Sequence, residues 1–260
     1  MSDAEYARRV ADHAKEILAQ GYTILENAVP DPVVDALART AQRLFEEAGS
    51  PRCYSLEMQF LAPDVSLCPA GLVHSRFFER CPEHADAIVP PLLVDVLRRS
   101  LGDDMTLELV ASVVADRHRT YFEWHMHIGG IDVELHRRSG AWPAFAESQR
   151  ISTLLYIDDI DPDNGPLLMY PRCISDPTPP PFDTNLRDWP GQRELLPRRG
   201  TIVMMDQCTW HAVRAKTTDG IRSFVGCHFR SREAPPTTLV DESLRRFAGG
   251  GALLRSVLPR

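Results

Sequence analysis

The segment Trp124-His125-Met126-His127 sets two imidazoles at i and i+2. Alternate side chains of a β-strand share a face, so both rings can reach one metal ion, and a ligand from a distant strand can close the site. His211, directly after Trp210, is the candidate third ligand. Arg222 stands eleven residues further on and leads the apolar segment SFVGC. A guanidinium there can grip a carboxylate through two parallel hydrogen bonds. The pattern predicts a mononuclear metalloenzyme. A lone strand histidine is ordinarily a packed, hydrogen-bonded residue, and His118, His136 and His228 are expected to be no more than that. Trp124 and Trp210 are expected to pack behind the ligands they precede.

Such ligands need a rigid β scaffold, and the chain supplies one after a helical entry. Tyr6, Val10, Ile17 and Leu18 fall at helical spacing within residues 3–20 and are followed by the β-branched run GYTILENAV. Asp31-Pro32 is an N-cap with proline in the first turn and opens a helix to about Ala48. Residues 50–82 lack periodicity and read as irregular, and a helical pattern resumes from Ala85 to Leu101 with a break at Pro90-Pro91. From Leu107 the segments LELVASVVAD, RTYFEWHMHIG, ISTLLYIDD, GPLLMYP, GTIVMMD and IRSFVGCHFR read as short strands of an all-β sandwich or barrel. Asp163-Asn164-Gly165 marks a tight turn between two of them. The stretch Arg172 to Arg199, with Pro177 and the run Pro179 to Pro181, reads as a loop covering one end of the barrel. One domain over 1–260 is expected, with a helical entry (1–105), a β core (106–232) and a C-terminal helical segment (233–260) broken by Gly249-Gly250-Gly251.

Composition narrows the function. The chain has 260 residues, 43% hydrophobic and 25% charged, which is globular and within reach of one β-rich domain. A formal net charge of −7 disfavours a sequence-independent grip on nucleic acid, which needs clustered positive charge. No apolar run approaches the roughly 18 residues of a membrane span, and the polar N-terminus does not read as a signal peptide. A cytoplasmic location is expected. Cys53, Cys68, Cys81, Cys173, Cys208 and Cys227 are widely spaced with no CxxC pair, as for reduced, mostly buried thiols.

Four segments, AQGYTILENAVPDPVVDAL, WHMH, LLYIDDIDPDNGPLLMYP and GTIVMMDQCTWHAVRAKTTDGIRSFVGCHF, occur in the order seen in the phytanoyl-CoA dioxygenase family, and the chain resembles that family over 15–230 apart from the loops. The resemblance implies a double-stranded β-helix of the jelly-roll, cupin-like kind with N-terminal helices. It also implies a non-haem Fe(II) oxygenase that couples decarboxylation of 2-oxoglutarate to oxidation, usually hydroxylation, of a small organic substrate. The family pattern is His-x-Asp, a distal histidine, and an arginine that pairs with the far carboxylate of 2-oxoglutarate; His125, His211 and Arg222 fall on those positions. His127 stands where the pattern has aspartate. The change removes one negative charge from the metal's ligand set and favours ions that prefer nitrogen, such as copper, nickel or zinc. Four possibilities stay open: a three-histidine site that still uses 2-oxoglutarate, a substitute carboxylate from Asp132 or Glu134, a three-histidine dioxygenase whose substrate chelates the metal without 2-oxoglutarate, and a non-catalytic binding descendant. Halogenation is disfavoured, because His127 fills the position a halide would need. Glu123 and Asp206 are candidates to orient the ligand imidazoles. Arg52, Arg76, Arg80, Arg172, Arg187 and Arg193 lie in the two segments where a lid would sit, and otherwise read as solvated charge.

Overall fold

The computed structural model describes residues 2–127, 133–235, 237 and 240–259, with the side chains of 133–135 excepted. Helix α1 (Asp3–Gln20) starts where the Ser2 hydroxyl accepts a hydrogen bond from the Glu5 amide and ends at Gly21, which adopts φ +83°. Only glycine fits there, since a Cβ at residue 21 would run into the Thr209 side chain. Strand β1 (Tyr22–Leu25) and helix α2 (Asp31–Glu47) follow. Then come β2 (Gln59–Ala62), β3 (Val65–Cys68) and β4 (Gly71–Ser75), and the helices α3 (Phe77–Arg80), α4 (Ala85–Ile88) and α5 (Pro91–Leu101). The rest of the chain carries β5 (Thr106–Ala115), β6 (Phe122–His125), α6 (Val133–Ser139), β7 (Arg150–Tyr156), β8 (Leu167–Met169), β9 (Arg193–Leu195), β10 (Ile202–Asp206), β11 (His211–Val213), β12 (Arg222–Arg230) and α7 (Ala252–Arg255).

These strands form two antiparallel sheets, one of eight strands in the order β1-β10-β7-β12-β5-β4-β3-β2 and one of four in the order β6-β11-β8-β9. The two sheets with flanking helices are the expected double-stranded β-helix. Parity along β12 divides its side chains between two environments. Val225, Cys227 and Phe229 join the main core with Leu37 and Leu44 of α2 and Val94 and Leu97 of α5. Arg222, Phe224, Gly226 and His228 line a cavity on the other face.

Two segments differ from their sequence reading. Residues 50–82 contain β2–β4, which extend the large sheet through the β4–β5 pairing. β4 is anchored by a partner some forty residues away, β3 and β2 are added to it by two local antiparallel pairings, and β2, at the sheet edge, is too exposed to show alternation. The stretch 172–199 backs the small sheet and supplies its edge strand β9 instead of closing the barrel: Trp189 stacks on Trp124 with ring centroids 4.2 Å apart, and Phe182 packs into the same cluster. Trp124 and Trp210 do pack with the aromatic cluster behind the histidines they precede, as the sequence suggests. Among the described residues no helix is long and apolar enough to cross a membrane.

Candidate metal centre

His125 closes β6 and His211 opens β11, and antiparallel pairing sets the two directly opposite each other. His127 lies two residues beyond His125, with its amide bound to the Gln207 carbonyl at 2.9 Å. One ring nitrogen from each of the three histidines falls within 4.8 Å of the others. The tautomers are set by the backbone. His125 Nδ1–H donates to the Glu123 carbonyl at 2.6 Å and His211 Nδ1–H to the Thr209 carbonyl at 2.9 Å, which leaves each Nε2 a free lone pair. The acceptor at Glu123 is therefore its main chain, and Asp206 spends Oδ1 on the Cys208 amide.

All three rings are held neutral. Burial lowers the pKa of His127 to about 4; burial first and then the neighbouring His127 lower that of His125 to about 3; and burial first, then His125 and His127, takes that of His211 well below its ordinary value. Neutral imidazole is the form that binds metal. His211 Nε2 and His127 Nε2 face each other at 3.0 Å, a separation bridged by a hydrogen bond when His127 carries its proton on Nε2 and open to a shared metal ion when it does not. The donor set therefore fits a metal ion. Asp132 and the side chain of Glu134 lie outside the described residues.

The histidines open into a cavity of about 190 Å³. Phe122, Leu167, Val213, Leu154 and Val113 make much of its wall apolar. At one end stand two buried guanidiniums, Arg222 and Arg119. Arg222 donates to the Gly165 carbonyl at 2.6 Å and to the Asn164 carbonyl at 3.3 Å, and lies 6.0 Å from the Tyr156 ring centroid. Among the described residues neither arginine forms an ion pair, and burial lowers the pKa of both. A buried cation without a counter-charge is costly, so this end fits an anion such as the far carboxylate of 2-oxoglutarate.

His228, expected to be ordinary packing, lines the cavity instead, with its ring centroid 5.4 Å from that of His127. His118 is an ordinary surface histidine bound to Asp116, and His136 is a half-buried one that packs on Trp142 and binds the Ala141 carbonyl. None of Arg52, Arg76, Arg80, Arg172, Arg187 and Arg193 lines the cavity; Arg80 pairs with Asp64 at 2.7 Å, and Arg172 donates to backbone carbonyls. The sequence reading missed Arg119. Its one local signal is its place six residues before His125, in the segment that leads into β6. A larger groove of about 710 Å³ lies among α1, α5 and residues 144–149; mixed charges such as Lys15, Arg99 and Glu147 line it, and no histidine does.

No curated protein matches the chain in sequence. Solved structures do match it in fold. The non-haem alpha-ketoglutarate-dependent epimerase SnoN from nogalamycin biosynthesis is 13% identical, with 95% of this chain and 90% of that chain covered and a TM-score of 0.64. The carbocyclase SnoK from the same biosynthesis is 17% identical over 93% of this chain and 94% of that chain, with a TM-score of 0.60. HygX from Streptomyces hygroscopicus, with nickel, 2-oxoglutarate and hygromycin B bound, is 13% identical over 85% of this chain and 87% of that chain, with a TM-score of 0.60. The phytanoyl-CoA dioxygenase (PhyH) family matches residues 17–224, and the chain belongs to that family of Fe(II)- and 2-oxoglutarate-dependent oxygenases.

Proposed function

We propose that His125, His127 and His211 hold a single Fe(II) and that Arg222 receives the far carboxylate of 2-oxoglutarate, so that a small organic substrate is oxidised, by hydroxylation in the simplest case, at a three-histidine centre. The observation that carries this is the convergence in one cavity of three neutral imidazoles, with ring nitrogens within 4.8 Å of one another, and a buried guanidinium that has no carboxylate partner among the described residues. Bound together, iron and 2-oxoglutarate supply the activation of dioxygen and two of the four electrons its reduction consumes.

The chain's own residues bind, aim and shield. The bonds from Nδ1 to the backbone hold His125 and His211 with Nε2 toward the centre, and no rotation is needed to present a lone pair. Two backbone carbonyls hold Arg222 in place before any ligand arrives. Phe122, Leu167 and Val213 keep water from the space between arginine and histidines, which strengthens each charge contact there. His228 lies six residues along β12 from Arg222, roughly 20 Å at the usual strand rise, with its ring centroid 5.4 Å from that of His127. Its ring, which also lines the cavity, is proposed to hydrogen-bond a group of the substrate. A cavity of about 190 Å³ is small beside the roughly 300 Å³ and more of most ligand pockets, so it encloses the cosubstrate and leaves the bulk of the substrate at the mouth. The ligand named with HygX supports a small organic molecule as substrate.

The chain is proposed to work as one domain over 1–260, in the cytoplasm and without a nucleic-acid partner. Six unpaired thiols and a net charge of −7 support this. The deciding experiment is anaerobic titration of metal-free protein with Fe(II) and then 2-oxoglutarate. A visible charge-transfer band that is lost in Arg222→Ala is the expected result. Tight Fe(II) binding with no band would remove 2-oxoglutarate from the scheme and direct the search to a chelating substrate.

A further inference from the structure

Arg119 is a second, unexplained cation in the same cavity. It is 1% exposed, although its guanidinium reaches no carboxylate among the described residues. Its terminal nitrogens donate to the Arg214 carbonyl at 2.5 Å and the Thr120 carbonyl at 3.4 Å, and its Nε has no partner. The neighbouring charged groups are engaged elsewhere. Lys216 gives its ammonium to Thr218 and Asp219 oxygens, and Asp158 accepts from the Ser223 amide and hydroxyl. Gly165 ties the two arginines together: its carbonyl accepts from Arg222, and a Cβ on it would run into the Arg119 guanidinium.

A strut between two carbonyls does not need a charge, and a neutral amide would serve at lower desolvation cost. Two buried guanidiniums at one end of a cavity are stable together only if the cavity brings the counter-charge. A carboxylate has lone pairs enough for two guanidiniums at once. With imidazole at residue 127, the three described ligands contribute no negative charge either. The positive charge of metal and arginines must then be met by the ligand, which favours a dianion over a monoanion.

We propose that Arg119 is a second cosubstrate-binding arginine: together with Arg222 it makes the closed end of the cavity a two-guanidinium seat for the distal carboxylate of a 2-oxo dicarboxylic acid, and so sets the selectivity for a dianionic cosubstrate. This rests on the oxygenase reading above, in which Arg222 alone has that task.

The test compares 2-oxoglutarate with 2-oxopentanoate, which has the same five-carbon chain but no distal carboxylate. Binding to Ni(II)-loaded protein is followed without oxygen by calorimetry and by the ligand-induced rise in melting temperature. Arg119→Gln is expected to lower affinity for 2-oxoglutarate by about 10- to 100-fold while leaving affinity for 2-oxopentanoate and for nickel within about 3-fold, because only a charge-assisted contact to the missing carboxylate is lost. Arg119→Lys keeps the charge and loses the fork, so the selectivity ratio should fall by several-fold only. An unchanged ratio in both variants, or a parallel loss for both ligands, would make Arg119 a strut and overturn the proposal. Should Arg119→Gln fail to fold, the ratio in Arg119→Lys decides alone, and an unchanged value overturns it. Wild-type protein that binds no 2-oxoglutarate would bring down the oxygenase reading itself, and this inference with it, a result seen before any variant is made.

Discussion

At the scale of single residues, His127 sets the charge of the proposed metal centre. A carboxylate there would cancel part of the charge of a divalent ion, whereas imidazole donates a lone pair and no charge. His127→Asp is therefore expected to keep Fe(II) binding and to lower the preference for nickel or copper over iron by about tenfold, as read in competition titrations. An unaltered preference would make His127 a bystander. In the proposed scheme Arg222 acts through charge and not through packing. Arg222→Ala should weaken 2-oxoglutarate by about 2–5 kcal/mol, the usual cost of truncating one partner of a buried charge pair, with Fe(II) affinity unchanged. Equal losses of metal and cosubstrate would show that Arg222 shapes the centre instead.

At the scale of elements, three features place the chemistry. The β6–β11 pairing sets His125 against His211, period-two alternation along β12 sends Arg222 and His228 to the cavity, and the turn after β7 fixes the basic end. That turn depends on Gly165, which adopts φ +87° and sits against Arg119. Gly165→Ala should cost about 1–3 kcal/mol of stability from the left-handed backbone and the displaced guanidinium, measured by denaturant unfolding. It should also weaken 2-oxoglutarate, since the Gly165 carbonyl holds Arg222. Full affinity in a destabilised Gly165→Ala would separate the turn from the site. The Trp189–Trp124 stack ties the proline-rich stretch 172–199 to the back of β6, so this stretch supports the ligand strand and does not gate the cavity.

At the scale of the whole molecule, the large sheet is stabilised on one face by helices and kept open on the other for chemistry. The helical side carries a pH dependence of its own. His74 is buried on β4 and its pKa is lowered, by burial first and by Arg80; His84 binds the Thr40 hydroxyl at 2.9 Å and its pKa is lowered, by burial first and by Arg43 against the opposing Glu83. A histidine whose folded-state pKa lies below its ordinary value of about 6.5 takes up a proton more readily on unfolding, so its stabilisation is present above that value and lost as pH falls below it. The melting temperature should therefore drop between pH 7.5 and 5, and His84→Gln should flatten the slope. A second whole-molecule tie is Glu108, buried and bound by Arg150 at 2.9 Å and by Arg230 at 3.3 Å, which joins β5, β7 and β12. Arg150→Met should cost about 3 kcal/mol, the low end for breaking a buried pair, because Arg230 remains. A loss below about 1 kcal/mol, the range of exposed pairs, would show that solvent screens the pair.

The sequence by itself determined what period and chemistry can encode locally. The i, i+2 histidines announce a shared face, Asp31-Pro32 announces a helix start, and the β-branched runs from Leu107 onward announce strands. The cluster of His125, His127 and His211 was legible for the same reason, since residues able to bind a metal are few in type and strict in spacing. Three things were decided only by tertiary structure. Strands β2–β4 join the large sheet through the pairing of β4 with β5, which no local pattern records. The stretch 172–199 reads as a lid in sequence and proves to be a backing, because its role depends on which sheet face its tryptophan meets. Arg119 and His228 look like any arginine and any strand histidine until folding buries the one without a counter-ion and turns the other toward His127. Burial and counter-charge belong to the assembled cavity, and a linear chain has no term for either.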